Sequence, residues 1–545
     1  MHGEFCKVGL KFCKIEYIFK DKLNKKNLLF ILLPLVIVFL SKVVCQAYPG
    51  IPEEVRIGLY FNDSKTKQYT AVSSFTIDGE TGLKIGSYTA DGFVKLIEET
   101  TGNALTIKKD ESYHAKLADN FDSFEALEQK LDEYISNGID AYPVFADTWQ
   151  IWCGFYKDEN GMKAELGGVV EFSAVSPSAT RIVVFDSKGK VKLMYDSLKG
   201  ALRIYPKEGK NPALFRINGD SKKVYRGGIE VLRQAESDMT VINVLPLEEY
   251  LYGVVPGEIE ASSHPEALKA QAVAARTYTV NNLSKYKHLN FNLCSTTYSQ
   301  VYKGYSVEHP ATNKAVDDTR GEIVTYNAKP AEVYYFSSSG GKTEDVKNVW
   351  GSSGYPYLVS VDDPYESGNS WHYNWQVSYT AQKIGEIMAQ RGYNIGNILG
   401  IYITKRSEAG RATELVVKGS KGEQVYKNSN TRSFLSLDSQ WYEITTDSDV
   451  SVLAQDGSTV NSQLNGKKVL TASGLETVNT SSSISLAGSD DAKRKVPSVP
   501  TVYTFTGKGW GHAVGMSQEG AKGMAKAGFT YKEILTHYFT GTEVE

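Results

Sequence analysis

Apolar and other residues alternate along Val55-Arg56-Ile57-Gly58-Leu59-Tyr60-Phe61, the two-residue period of a half-buried strand. Further short strands with Gly, Asp and Ser turns run to about Phe93, which predicts a small β module over 48–105 with no visible chemistry. The pattern then changes. Tyr113-His114-Ala115-Lys116-Leu117 reads as a strand. Phe124, Leu127, Leu131, Tyr134 and Ile135 recur at helical spacing behind Ser123, a residue suited to cap a helix, and Gly138 ends the run. Asp140 to Val144 and Trp149 to Tyr156 predict two more strands. Residues 166–240 are β-rich, with turns such as Ser187-Lys188-Gly189-Lys190. Residues 446–498 are rich in Ser, Thr, Asp and Gly and end in Asp490-Asp491-Ala492-Lys493-Arg494-Lys495. They read as an insertion, partly β and partly flexible, within a core domain over 161–545. No repeat of roughly 20–50 residues marks a solenoid or propeller. The expected fold class is α+β: a β-rich multi-domain protein whose core is a mixed α/β domain with a buried Ala-rich helix.

That helix stands in the most distinctive stretch. A strand, Val241-Ile242-Asn243-Val244-Leu245, runs into Pro246. A short helical turn is expected over Leu247–Tyr252, then Val254-Val255, then a Pro256-Gly257 turn that places Glu258 at its end. A scaffold can hold a side chain there toward a cleft. Equally, Glu258 at such a place can serve the turn itself. Ser263-His264-Pro265-Glu266 has the spacing of a capping box. The helix that follows, Ala267 to Tyr278, is built of small residues and is expected to be buried. Lys269 and Arg276 lie seven apart on one face, either solvated or lining the cleft.

The ends of the chain change the picture more than its bulk composition. The 545 residues leave room for about three or four domains. The 34 tyrosines suit carbohydrate-binding surfaces, because such rings offer an apolar face and a polar tip; they also suit β-rich cores. Net charge is −3, yet residues 1–47 hold eight lysines and three acids, so the remainder carries −8. No basic run points to a nucleic-acid partner. Lys25-Lys26 precedes an apolar stretch, Leu28 to Leu40, which as a helix rises only about 20 Å, short of a bilayer core. Cys45-Gln46-Ala47 then resembles a cleavage site. Residues 1–47 are therefore expected to be an export signal, or else an uncleaved anchor reaching Val44, placing the protein outside the cytoplasm, in the wall or facing it. Two cysteines, Cys153 and Cys294, remain after Ala47, too few for a disulfide framework.

Two resemblances add function. The strand–helix–strand–strand pattern over 106–160 resembles a sporulation-related repeat, a module that binds glycan strands stripped of stem peptides; a generic α+β spacer would read the same way. More specific is the run from Asn243 to Tyr278, together with Ser299-Gln300-Val301-Tyr302-Lys303-Gly304, Tyr334-Tyr335-Phe336-Ser337-Ser338-Ser339-Gly340-Gly341-Lys342-Thr343 and Gly507-Lys508-Gly509-Trp510-Gly511-His512-Ala513-Val514-Gly515-Met516-Ser517-Gln518. In this order the four motifs resemble the stage II sporulation protein D and amidase-enhancer family over about Tyr225 to Gly541, the insertion apart. The resemblance implies peptidoglycan glycan strands as substrate, lytic transglycosylase chemistry, a role in engulfment or wall remodelling, and a cell-wall amidase and other engulfment proteins as partners. It places the essential acid at Glu258. Its enhancer members imply an alternative, a non-catalytic wall-binding protein that stimulates an amidase. Lys269, Arg276, Gln300, Tyr302, Tyr334, Ser338, Lys342, His512, Ser517 and Gln518 are the candidates for substrate contact, each with a structural role as the competing reading. The family usually carries Gly where Ala513 stands.

No cofactor is expected. Some members bind zinc through a His, a Cys and a later His-Cys pair. Here His288 and Cys294 keep the first two positions, while Tyr298 and Ser299 replace the pair. Two ligands do not close a zinc site, so no metal is expected. Gly341-Lys342-Thr343 resembles the tail of a phosphate-binding loop, but Phe336 replaces its first glycine.

Overall fold

A computed structural model of the chain describes residues 48, 50–99, 103–233, 237–351, 353–453, 455–478, 483–487 and 493–545. The export segment expected at 1–47 lies outside the described residues. The chain divides into two compact units, Met1–Tyr48 and Pro49–Glu545, and the second holds every element below. Among the described residues, no helix is long and apolar enough to cross a membrane.

Two large sheets form the first half of this unit. Glu54–Tyr60 (β1) lies between Met239–Pro246 (β2), antiparallel, and Leu293–Cys294 (β3), parallel. Gly228–Arg233, Ala201–Pro206, Leu83–Thr89 and Gly92–Glu99 extend that sheet on the far side of β2. The second sheet has ten strands, with Ser74–Gly79 and Leu105–Lys109 hydrogen-bonded in one layer with Tyr113–Phe121, Ala141–Phe145 and Trp149–Tyr156. The divisions expected at 105 and 160 therefore do not coincide with sheet boundaries. Alternation marks a strand but not its partner, and these strands pair across long stretches of chain. Within the second sheet the expected helix is Phe124–Ser136, and Ser123 Oγ accepts from Ala126 N at 3.2 Å.

β2 runs directly into helix Leu247–Glu258 (α1), and helix Pro265–Asn281 (α2) follows. Twelve of the thirteen residues of α2 from Ala267 to Thr279, all but Lys269, are buried, because alanines let α1 and the helices Pro310–Asp318, Gln518–Lys526 and Tyr531–Tyr538 close on it from several sides. Two local expectations differ from the structure. α1 is one helix through Pro256 and Gly257, not a short helical turn over Leu247–Tyr252 followed by a separate Pro256-Gly257 turn. The cap of α2 is His264, whose Nδ1 accepts from Glu266 N at 3.3 Å; Pro265 takes the first helical position, where its missing N–H costs nothing. The Glu266 carboxylate serves Tyr531 N and Lys269 Nζ instead of a capping box.

A separate apolar cluster, including Ile384, Met388, Leu415, Phe434 and Phe505, holds together the region between Trp375 and Phe505. Its sheet places Val502–Lys508 between Asn374–Thr380 and Tyr442–Thr446. The insertion at 446–498 thus leaves one strand and returns to its neighbour, Thr446 standing opposite Tyr503. Its described residues form three hairpins, over Asp449–Gln463, Lys468–Thr477 and Ser483–Pro497.

Candidate active site

Glu258 is the last residue of α1. Its position follows from the glycines of that helix. A Cβ on Gly253 would meet the Tyr302 ring at 2.6 Å, and one on Gly257 would meet Val301 O at 2.8 Å. The segment 301–304 can therefore lie against α1, and Val301 N donates to Glu258 Oε1 at 2.8 Å. The proline–glycine pair that suggests a turn is a contact surface. Burial raises the Glu258 pKa above the ordinary carboxyl value; the Val301 amide, the Lys303 charge and a hydrogen bond from Tyr335 pull it partly back.

Tyr335 is held in turn by Gln300. Gln300 Nε2 donates to the Tyr335 oxygen at 3.0 Å and to Ala275 O at 3.1 Å, while its Oε1 accepts from Thr279 Oγ1 at 2.8 Å and Tyr250 OH at 3.2 Å. With its oxygen occupied as an acceptor, the Tyr335 phenol has its own proton to give to Glu258.

Glu258 faces a cavity of about 490 Å³, within the range of small-ligand sites. Tyr278, Ser299, Val301 and Tyr335 surround the acid, and Tyr334, Phe336, Trp350 and Trp510 supply aromatic walls. Two distant motifs meet here. Tyr335–Phe336 pairs in parallel with Met516–Ser517, and Ser338 and Trp510 exchange backbone bonds of 3.0 and 2.8 Å. Gly515 permits the approach, since a Cβ there would meet Tyr334 O at 2.2 Å. Ala513 takes the left-handed conformation, φ 66°, which explains why glycine suits this position. His512 stands on the cavity wall, 4.7–6.3 Å contacts linking its ring and that of Trp350 to Tyr334. Burial and the Arg432 charge lower its pKa to about 4, so the ring is neutral. Val514 N donates to Nδ1 at 3.0 Å, which assigns the proton to Nε2.

Of the candidate residues, the structure brings Glu258, Tyr334 and His512 together on the cavity. Gln300 acts on it through Tyr335 and is itself buried. The others stand elsewhere, in place of the substrate contacts expected of them. Arg276 is fully buried, its Nε and Nη2 on Glu248 at 2.9 and 2.7 Å; the face it shares with Lys269 is neither solvated nor a cleft wall at that end. Lys269 pairs with Glu266 at 3.1 Å. Tyr302 is buried and donates to Asn243 Oδ1 at 2.7 Å. Ser338 is buried and bonds Glu366, and Lys342 pairs with Asp362 at 2.9 Å. Ser517 caps helix Gln518–Lys526, and Gln518 Nε2 donates to Gln271 at 3.3 Å. Charge and hydroxyl content attracted attention to these positions, but their partners are internal.

Sequence reasoning missed Tyr278, Tyr335, Phe336, Ser337 and Trp510 as lining residues although each sits inside a quoted motif. Trp350 and Arg432 lie outside all of them and left no local signal. His288 Nε2 lies 3.5 Å from Asp63 Oδ1, and the Cys294 thiol is buried 3.4 Å from Ser299 Oγ. Among the described residues, no group of three His, Cys, Asp or Glu is placed to hold a metal ion.

The family model described as stage II sporulation protein matches residues 235–326, which contain β2 from Met239 on, α1, α2 and Gln300. The chain is 33% identical over 307 residues to the amidase enhancer of Bacillus subtilis strain 168, covering 54% of this chain and 40% of that protein. It is 30% identical over 319 residues to stage II sporulation protein D of the same strain, covering 55% of this chain and 74% of the relative. The Bacillus amyloliquefaciens stage II sporulation protein D is 29% identical over 328 residues, with 76% of its length covered. Since the match takes in most of the length of a sporulation protein D at 30% identity, and the family model covers the helix that ends in Glu258, the chain belongs to the stage II sporulation protein D family.

Proposed function

We propose that the protein is a lytic transglycosylase that cleaves denuded peptidoglycan glycan strands outside the cytoplasm, in sporulation, engulfment or wall remodelling. The observation that carries this reading is a single carboxyl group. Among the described residues lining the cavity, Glu258 alone is acidic, and burial favours its protonated form. Such a group donates its proton to the leaving glycosidic oxygen as the bond to C1 breaks. The carboxylate then takes the proton of the sugar's own C6 hydroxyl while that oxygen bonds C1. The strand ends in a 1,6-anhydro ring, Glu258 is an acid again, and no water is consumed. Hydrolysis by the usual route calls for a second carboxylate. The Trp350 and Trp510 walls suit sugar faces. Residues 106–160 are proposed to add a second contact with the strand.

Mass spectrometry of denuded strands incubated with the purified protein tests this. Anhydro-ended fragments are expected. Reducing ends would make the protein a hydrolase. Strands that bind and stay intact would favour a second reading, a wall-binding protein acting with an amidase, which the 33% identity to a protein named amidase enhancer supports.

The pH profile offers a finer check. The Tyr335 hydrogen bond favours ionised Glu258. In Tyr335→Phe the acid should stay protonated to higher pH, so the alkaline limb of the rate profile should move up. A limb in the same place would show that the phenol does not act on the carboxyl.

A further inference from the structure

The cavity wall also carries a cation with no carboxylate partner. Arg432 lies in the short helix Asn430–Ser433, after the Tyr334–Thr343 motif and before the C-terminal one. Its Nε donates to Leu437 O at 2.9 Å, which fixes the base of the guanidinium. Among the described residues, neither terminal nitrogen has a hydrogen bond or ion pair. Other buried arginines of this protein have their terminal nitrogens engaged: Arg276 by Glu248 and the Glu322 and Val316 carbonyls, Arg411 by three backbone carbonyls. Asp438, whose charge reaches Arg432, is taken up by His372 Nδ1. His512 does not compete for an anion as a second cation, because it is neutral. Of the described lining residues, Arg432 alone bears a fixed positive charge.

Holding a partly desolvated guanidinium without a counter-charge is unfavourable, and its planar fork matches a carboxylate with two parallel hydrogen bonds. The glycan strands proposed as substrate offer one such group per muramic acid, the lactyl carboxylate. It is free and anionic in a stripped strand. In a strand bearing stem peptides it is an amide and carries no charge. We propose that Arg432 binds the lactyl carboxylate of a sugar in the cavity and so makes the site discriminate free carboxylates from amide-linked ones. This rests on the glycan-strand reading above and adds the residue that sets its specificity.

The test measures binding, in a Glu258→Gln background so that strands are not consumed. Stripped strands are compared with the same strands whose carboxylates have been converted to methylamides. The parent is expected to bind free-carboxylate strands roughly 10- to 100-fold more tightly. Arg432→Gln should bind both forms alike, at the level the parent shows for the amidated form. Arg432→Lys, which keeps the charge and loses the fork, should retain part of the preference and guards against a variant that simply fails to fold. Equal binding of both forms by the parent, or full preference in Arg432→Gln, would overturn the assignment while leaving the glycan reading standing. If the parent binds neither strand, the glycan reading fails and this one with it.

Discussion

Replacing Glu258 by glutamine is expected to slow strand cleavage by about 10²–10⁴-fold, the usual contribution of a positioned acid–base group, with strand affinity unchanged. Glutamine keeps the shape and can still accept from Val301 N, which holds Glu258 Oε1 at 2.8 Å; what it loses is the transferable proton. The same variant should be more stable than the wild type at neutral pH. Because burial raises the Glu258 pKa, the folded protein binds this proton more tightly than the unfolded chain does. That contribution is fully present below the ordinary value of 4.5 and is lost as pH rises through the folded pKa. Glutamine mimics the protonated acid, so the difference in melting temperature between variant and wild type should be small at pH 4 and grow toward pH 7. Undiminished cleavage would remove Glu258 from the mechanism. A stability difference independent of pH would show that folding does not raise the Glu258 pKa.

Arg276→Met is expected to destabilise the protein by about 3–5 kcal/mol, the cost of breaking a buried ion pair from one side, a large fraction of the stability of a typical domain. Arg276 has two bonds to Glu248 and donates to Glu322 O at 3.0 Å and Val316 O at 3.1 Å. It thus ties α1 and α2 to the helix Pro310–Asp318. Without it, among the described residues, Glu248 keeps a single hydrogen bond, from Gly321 N at 3.2 Å, and the more distant charge of Arg320. The double variant Arg276→Met, Glu248→Leu should recover much of the loss, since no charge is stranded. Urea unfolding measures both. A single variant within about 1 kcal/mol of the wild type would mean that water reaches Glu248 and replaces the arginine.

How far the residues announce this structure depends on what each signal reports. Alanine density in α2 reports burial, and the helix is buried. Ser123 as a cap is a local matter decided by one hydrogen bond, and it holds. Pro256-Gly257 carries the statistics of a turn, but Gly257 is there because Val301 comes close, a contact that cannot be read from its neighbours. Glu258 is legible through its motif, while its protonation depends on the distant Val301, Lys303 and Tyr335. Tyr334 and Tyr335 look alike in sequence. Only the pairing with Met516–Ser517 decides that one joins the aromatic wall and the other meets the acid. Arg432 was invisible because an unpaired arginine is defined by what does not surround it, and that is known only once the chain is folded.

The placement of β1 bears on how the molecule comes to exist. Val55 pairs with Leu245, 190 positions later, and Ile57 with Leu293 further on still. At roughly 5–20 residues per second of synthesis, the first partner of β1 emerges about 10–40 s after it. For that interval both edges of an apolar strand are open, a template for pairing with another chain. The strand that leads into α1 is also the one that closes over β1, so the nascent chain must be kept from other partners until the code for Glu258 is almost reached.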